Sequence, residues 1–263
     1  MDLQLDGTVA VVTASSSGLG KASSKALARE GANVVINGRD DRRLNDAAKE
    51  VRNVASGSVI AQPGDITDPD DVSALVGRAV DEFGRLDHLV TSAGGPTPMR
   101  PLEPDDDDWH DTFELLTLSV VRLVREAADH LRADGGGSIV TITSLAAKRS
   151  TPRNALSSAV RPSVVALENT LSKDLAPDVR VNAVLPGVHD TPRLEAIFDE
   201  AVENGEYASH EAAKEAKGDT IPMKQVGDPD AFGDAVAFLC SPRAEHITGA
   251  AVPIDGGEDS ALF

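Results

Sequence analysis

Val9-Ala-Val-Val-Thr-Ala-Ser-Ser-Ser-Gly-Leu-Gly20 is the stretch on which the fold of this chain is decided. Its apolar residues read as a buried strand, the serines and glycines as a tight turn, and the residues from Lys21 as a helix. A helix N-terminus presents unpaired N–H groups and a partial positive charge, so such a turn attracts an anion such as phosphate. Gly18 and Gly20 let backbone approach that anion and let the helix pack closely on the strand. Only this pair stands of the common Gly-x-Gly-x-x-Gly spacing. Taken alone, the turn is equally compatible with a plain strand-to-helix junction.

Outward from the turn, apolar runs alternate with amphipathic stretches. Strands are predicted at Val9–Thr13, Asn33–Asn37, Val59–Ala61, His88–Ser92, Ser138–Thr143, Val179–Leu185 and Ala250–Ile254. Helices are predicted at Lys21–Glu30, Arg42–Val54, Pro69–Phe83, Trp109–Arg132, Leu156–Leu175 and Asp228–Leu239. This alternation predicts an α/β protein: a single doubly wound, Rossmann-type parallel sheet with helices on both faces. No repeat or composition break divides residues 1–263, so one domain is expected. Residues 189–222 read as a mostly helical, lid-like insertion near the carboxyl edge of the sheet, where ligands of such sheets bind.

Composition excludes several partners. The 43 acidic residues outnumber 25 basic ones, for a net charge of −18, which repels nucleic acid and anionic membrane. That self-repulsion is screened at molar salt, where the Debye length falls to about 3 Å. An Asp-rich, Lys-poor chain with 3% aromatics resembles proteins of salt-accumulating organisms, the alternative being an ordinary acidic protein. No apolar run approaches the roughly 18 residues of a membrane span. The first residues lack a signal pattern, and the single Cys240 excludes an internal disulfide, so a cytoplasmic location is expected. The run Asp105–Asp108 does not converge on one cation and reads as a solvated helix N-terminus; no metal site is expected.

The motifs together resemble those of the short-chain dehydrogenase/reductase family over nearly the whole length. Thr13-Ala-Ser-Ser-Ser-Gly-Leu-Gly20 resembles the family's Thr-Gly-x-x-x-Gly-x-Gly turn, with Ala14 for the first glycine. Gly64-Asp65-Ile66 resembles the adenine-contacting segment. Thr91-Ser-Ala-Gly94 resembles the Asn-Asn-Ala-Gly strand end with both asparagines replaced. Ile139–Ser144 resembles the strand that delivers the active-site serine, and Pro186, Gly187 and Thr191 resemble the segment beside the nicotinamide. Ile221–Pro229, Phe238–Ser241, Ile247-Thr-Gly249 and Asp255-Gly-Gly257 resemble the family's C-terminal string. The resemblance implies cofactor contacts from Thr13, Ser15, Ser17, Gly18, Leu19, Gly20, Arg39, Asp65, Ile66, Ser92, Ala93, Gly94, Arg161, Pro186, Gly187 and Thr191. It also implies a homotetramer through the helix pair Trp109–Arg132 and Leu156–Leu175, or failing that a dimer.

In the catalytic set the chain departs from the family. Where the family has Asn, Ser and Tyr-x-x-x-Lys, this chain has Leu116, Ser144 and Ser157-x-x-x-Arg161. It resembles a minority branch with Ser-x-x-x-Arg in that place. Loss of a positioned general acid costs about 10²–10⁴ in rate, and a serine hydroxyl is a far weaker acid than a phenol. Arg161 retains the positive charge but is a poor proton donor. Ser144, Ser157 and Arg161 are therefore the candidate catalytic residues. Lys148 and His189 are weighed as replacement acids against surface roles, and Tyr207 against a helix-packing role. His110 and His130 read as surface or interface residues.

Val34–Arg39 ends without an acid to bind a ribose 2′-hydroxyl, and Arg39 offers a charge for a 2′-phosphate. NADP is the expected cofactor, with NAD possible. The expected activity is hydride transfer between the nicotinamide and a small-molecule carbonyl or secondary alcohol, such as a 3-oxoacyl thioester or a sugar-derived keto acid. Two other readings stay open: a dinucleotide-binding sensor or partner subunit with little redox turnover, and non-redox chemistry around a structural nicotinamide.

Overall fold

The computed structural model describes residues 1–133 and 135–260. Its strands are β1 (Val9–Val12), β2 (Asn33–Gly38), β3 (Val59–Pro63), β4 (His88–Ser92), β5 (Gly137–Ile142), β6 (Val179–Pro186) and β7 (Ala251–Ile254). They form one seven-stranded sheet in the order β3-β2-β1-β4-β5-β6-β7, parallel throughout. The strand order reverses between β1 and β4, and the crevice at their carboxyl ends is where such a sheet binds ligands.

Both faces of the sheet are covered, which is why its central strands are apolar on both sides. Along β1, Ala10 and Val12 pack into one layer with Leu27, Leu44, Phe232 and Val236. Val9 and Val11 pack into the other with Leu75, Leu123, Leu131 and Val164. The first layer is built by α1 (Gly18–Arg29), α2 (Asp41–Arg52) and α9 (Pro229–Cys240). The second is built by α3 (Pro69–Phe83), α5 (Ser119–Arg132) and α6 (Ala155–Asp174).

The long helix expected over Trp109–Arg132 is not continuous. It begins as α4 (Asp106–Phe113), widens into a π-helical turn at Glu114–Leu118, and resumes as α5. The Ser119 hydroxyl takes up the Leu115 carbonyl at 2.6 Å, and Thr117 bonds Ser163 of α6 at 2.9 Å. The wide turn turns Leu116 inward, beside the end of β4. The Asp105–Asp108 run starts α4 through a capping box, Asp105 accepting from the Asp108 N–H and Asp108 from the Asp105 N–H.

The segment expected as a lid carries α7 (Pro192–Glu203) and α8 (His210–Asp219), which pack on each other through Phe198 and the His210 ring at 5.4 Å. The apolar residues of the helix pair expected to form a subunit interface divide. Val124, Val160 and Val164 are buried within the protomer, while Leu115, Leu118, Val121 and Leu167 are half-buried.

Candidate active site

The turn after β1 is pinned from both sides. Thr13 Oγ1 donates to the Ser92 carbonyl and accepts the Ser92 N–H, both at 2.7 Å. Ser15 Oγ lies 2.7 Å from the Val12 carbonyl and 2.9 Å from the Asn37 N–H. The hydroxyls of Thr13 and Ser15 therefore face into the protein and shape the turn. Gly18 takes a left-handed φ of +57°, and a Cβ on Gly20 would lie 2.6 Å from the Ala14 carbonyl oxygen. Ala14, in the family's glycine position, also sits in the left-handed region at φ +45°, a strain of roughly 1–2 kcal/mol that the surrounding contacts hold.

Two helix N-termini meet here without side-chain caps. The side chains of Asp40, Asp68, Asp105, Ser209 and Asp228 cap α2, α3, α4, α8 and α9. Ser17 at the start of α1 and Thr191 at the start of α7 make no such bond. Thr191 Cγ2 lies 3.7 Å from where a Gly18 Cβ would be. The orphan N–H groups of both helices thus converge on one cleft, an arrangement suited to paired phosphates.

Further along the cleft, Ser144 caps a short 3₁₀ turn, Leu145–Ala147, accepting the Ala146 N–H at 3.1 Å. Ser157 and Arg161 lie one turn apart on α6, both buried. Among the described residues, the Ser157 hydroxyl has no hydrogen-bond partner. Arg161 is 8% exposed, and its Nε has no partner among the described residues. Burial, reinforced by the nearby charge of Arg193, lowers the Arg161 pKa to about 10, which still leaves it cationic at neutral pH. A buried guanidinium without acceptors is costly unless something else occupies the site. Arg161 lines a cavity of about 10 Å³, room for one water, together with Thr91, Ser92, Leu116, Ser119 and Thr141.

The expected replacement acids fare differently. Lys148 is committed to Asp259 at 2.8 Å, so it is not a free donor to the cleft. His189 is buried rather than solvated. Its ring meets Phe232 edge-on at 5.1 Å, pairs its backbone with Gly227, and has its pKa lowered by burial. Tyr207 is 39% exposed between α7 and α8, and His110 and His130 are exposed on α4 and α5. Arg39 stands at the tip of β2, largely exposed, 3.7 Å from Asp65. Ile66 is buried, and Ala93 and Gly94 follow β4. Gly187 follows β6, and its N–H donates to the Ile254 carbonyl at 3.0 Å.

Sequence reasoning passed over Glu168 and Arg193. Glu168 is 2% exposed on α6; its Oε1 accepts from Thr141 Oγ1 at 2.6 Å, and Thr141 accepts from Thr91 at 2.8 Å. Its Oε2 has no partner among the described residues, and burial pushes its pKa up to about 7. It sits on the i, i+4 stripe Leu156, Val160, Val164, Glu168, Ser172, all buried, so its spacing was the available signal. Arg193, on α7, lies over Gly95 with Nη2 3.4 Å from the Pro96 carbonyl; no sequence pattern announces that position.

Known proteins resemble this chain over nearly its whole length. The family model described as enoyl-(acyl carrier protein) reductase matches residues 13–258. Dehydrogenase/reductase SDR family member 4 of Caenorhabditis elegans is 31% identical over 261 residues, covering 98% of each chain. The cis-4-hydroxycyclohexanecarboxylate dehydrogenase of Sinomonas cyclohexanicum is 34% identical over 251 residues, 95% of each. The crystal structure of L-sorbose reductase from Gluconobacter frateurii, complexed with NADPH and L-sorbose, superposes with a TM-score of 0.95 at 31% identity, covering 100% of both chains. The order of the motifs, the strand order of the sheet and these likenesses agree over almost every described residue: the chain belongs to the short-chain dehydrogenase/reductase family.

Proposed function

We propose that this protein is an NADP-dependent oxidoreductase that interconverts a small carbonyl compound and its secondary alcohol, using Ser144, Ser157 and Arg161 where relatives use a tyrosine and a lysine. The observation that carries this is the pair on α6: a buried guanidinium whose Nε has no partner among the described residues, and a buried serine one turn away. A purely structural arginine would have acceptors.

The residues fit a dinucleotide. The uncapped ends of α1 and α7 suit its phosphates, Arg39 its 2′-phosphate and Arg161 its ribose hydroxyls. When bound, the reduced nicotinamide supplies a hydride to the carbonyl carbon. Ser144 holds the carbonyl oxygen by a hydrogen bond. Ser157 relays a proton from water to that oxygen as negative charge develops on it. The fixed charge of Arg161 offsets that developing charge inside a partly dry site. Its pKa keeps it a charge rather than a proton source. This catalytic set is a degenerate form of the family's tetrad.

Three further readings belong to the same proposal. The protein is cytoplasmic, in keeping with its lone, buried Cys240. Its charge of −18 is an adaptation to molar salt. It assembles as a homotetramer across the α4–α5 and α6 faces, where Phe113 stands 49% exposed beside half-buried Leu115 and Leu118.

The deciding experiment is Ser144→Ala and the double variant Ser157→Tyr/Arg161→Lys, each measured for NADPH binding and for carbonyl reduction. Ser144→Ala is expected to lower turnover about 10²-fold or more while binding NADPH. The double variant is expected to raise turnover of simple ketones. If wild type and double variant both bind NADPH yet reduce nothing across a broad carbonyl panel, the protein is a dinucleotide-binding protein without redox turnover.

A further inference from the structure

Acids outnumber bases across this chain, yet the mouth of the cleft is lined by cations that have no acid. Arg100 and Pro101, in the loop between β4 and α4, face Thr151, Pro152 and Arg153, in the loop that leads from Ser144 to α6. Between the two loops lies a cavity of about 580 Å³, within the range of small-molecule sites. Arg153 is four residues before Ser157, and the loops are tied by the Ala155 N–H to the Met99 carbonyl at 3.2 Å. Arg193 enters from α7, close enough to Arg161 for the two charges to repel.

Among the described residues, none of Arg100, Arg153, Arg161 and Arg193 has a carboxylate within 4.0 Å. The contrast lies a few residues away. Lys148, Arg149, Lys214 and Lys217 are paired with Asp259, Glu258, Asp190 and Glu258. Acids are at hand around the cleft, and they neutralise one group of cations and leave the other bare. The Glu103 carboxylate near Arg100 accepts the Arg100 backbone N–H at 2.7 Å rather than its guanidinium. Arg100 and Arg153 are exposed on the two sides of that cavity and open to a ligand, and guanidinium is the side chain whose donor geometry matches carboxylate and phosphate.

We propose that the substrate carries an anionic group, a carboxylate or a phosphate monoester, a few bonds from its carbonyl, and that Arg100 and Arg153 hold that group at the mouth of the cleft. Arg193, against Gly95 and Pro96 in the same loop as Arg100, adds a further positive charge to the cleft. The proposal rests on the reductase reading above and gives it a substrate class.

The test compares matched substrates on the NADPH-loaded protein at one fixed KCl concentration: acetoacetate against methyl acetoacetate, and hydroxyacetone phosphate against hydroxyacetone. Wild type is expected to favour at least one anionic member by about 10-fold or more in kcat/KM. In Arg100→Gln/Arg153→Gln that preference is expected to fall toward unity, and Arg153→Lys in the Arg100→Gln background is expected to restore part of it. Which pair shows the effect separates carboxylate from phosphate. A wild type that uses both neutral members as well as the anions overturns the proposal, as does a preference that survives the double variant. If wild type reduces no member of either pair, the reductase reading fails for these substrates, and calorimetric binding to the NADP⁺-loaded protein decides the rim separately. Anion binding that is lost in the double variant supports the proposal; no anion binding overturns it.

Discussion

Replacing Glu168 by glutamine should stabilise the protein at alkaline pH and do little at acid pH. The carboxyl is 2% exposed, receives one hydrogen bond from Thr141, and has a second oxygen with no partner. Burial raises its pKa from 4.5 to about 7. The fold therefore prefers the neutral acid. Its contribution is intact below about pH 4.5, falls as pH rises, and is fully lost above about pH 7. Linkage across that window amounts to about 2 to 3 kcal/mol between pH 5 and pH 8. Glutamine has the shape of the protonated acid and cannot ionise. Urea unfolding of wild type and Glu168→Gln at fixed KCl, at pH 5 and pH 8, measures the difference. Buried His88, whose pKa burial lowers to about 4, also makes stability pH-dependent, in the opposite sense, but it is common to both proteins and cancels. The variant should gain on wild type by about 2 to 3 kcal/mol from the lower pH to the higher. A difference that stays flat would mean that Glu168 is ionised throughout or reached by water, and the burial argument would be wrong.

Arg39→Asp should weaken NADP by roughly 1.5–3 kcal/mol and NAD by less, read by fluorescence titration, because a charge-assisted phosphate contact becomes a repulsion; equal losses would show that Arg39 does not read the phosphate. In a KCl series to about 3 M the melting temperature should rise steeply and light scattering should report a tetramer. A flat melting curve removes the salt-adaptation reading, and a monomer removes the interface.

The sheet was legible because each strand is a short, apolar, β-branched run between turn residues, so period and punctuation agree. The long helix was legible in extent but not in continuity. A π-helical turn at Glu114–Leu118 adds one residue to a turn and leaves the apolar pattern nearly unchanged. The turn after β1 was legible because its shape is written in glycines and in a helix start. Its chemistry was harder to read. The burial of His189 depends on Phe232, from another part of the chain, and the pairing of Lys148 depends on Asp259. Glu168 was readable in principle, as the one acid on the buried stripe of α6. Arg100, Arg153 and Arg193 lie on loops or at a helix start, where no periodicity says which way a side chain faces.

The lacing of the β1 turn to β4 has a consequence for the order in which this protein folds. Thr13 meets Ser92 across 79 residues, Val9 meets the Asp87 carboxylate across 78, and Ser241 meets the Leu3 carbonyl across 238. Contacts so distant in sequence form late, because loop closure must be offset before they contribute. The glycine turn is thus synthesised well before β4 and acquires its full shape only once β4 is in place. A nascent chain ending before β4 carries every residue of that turn and its Asn37 partner, but not Ser92, which holds Thr13. Competence to hold a dinucleotide therefore arrives with the completed central sheet rather than with the motif.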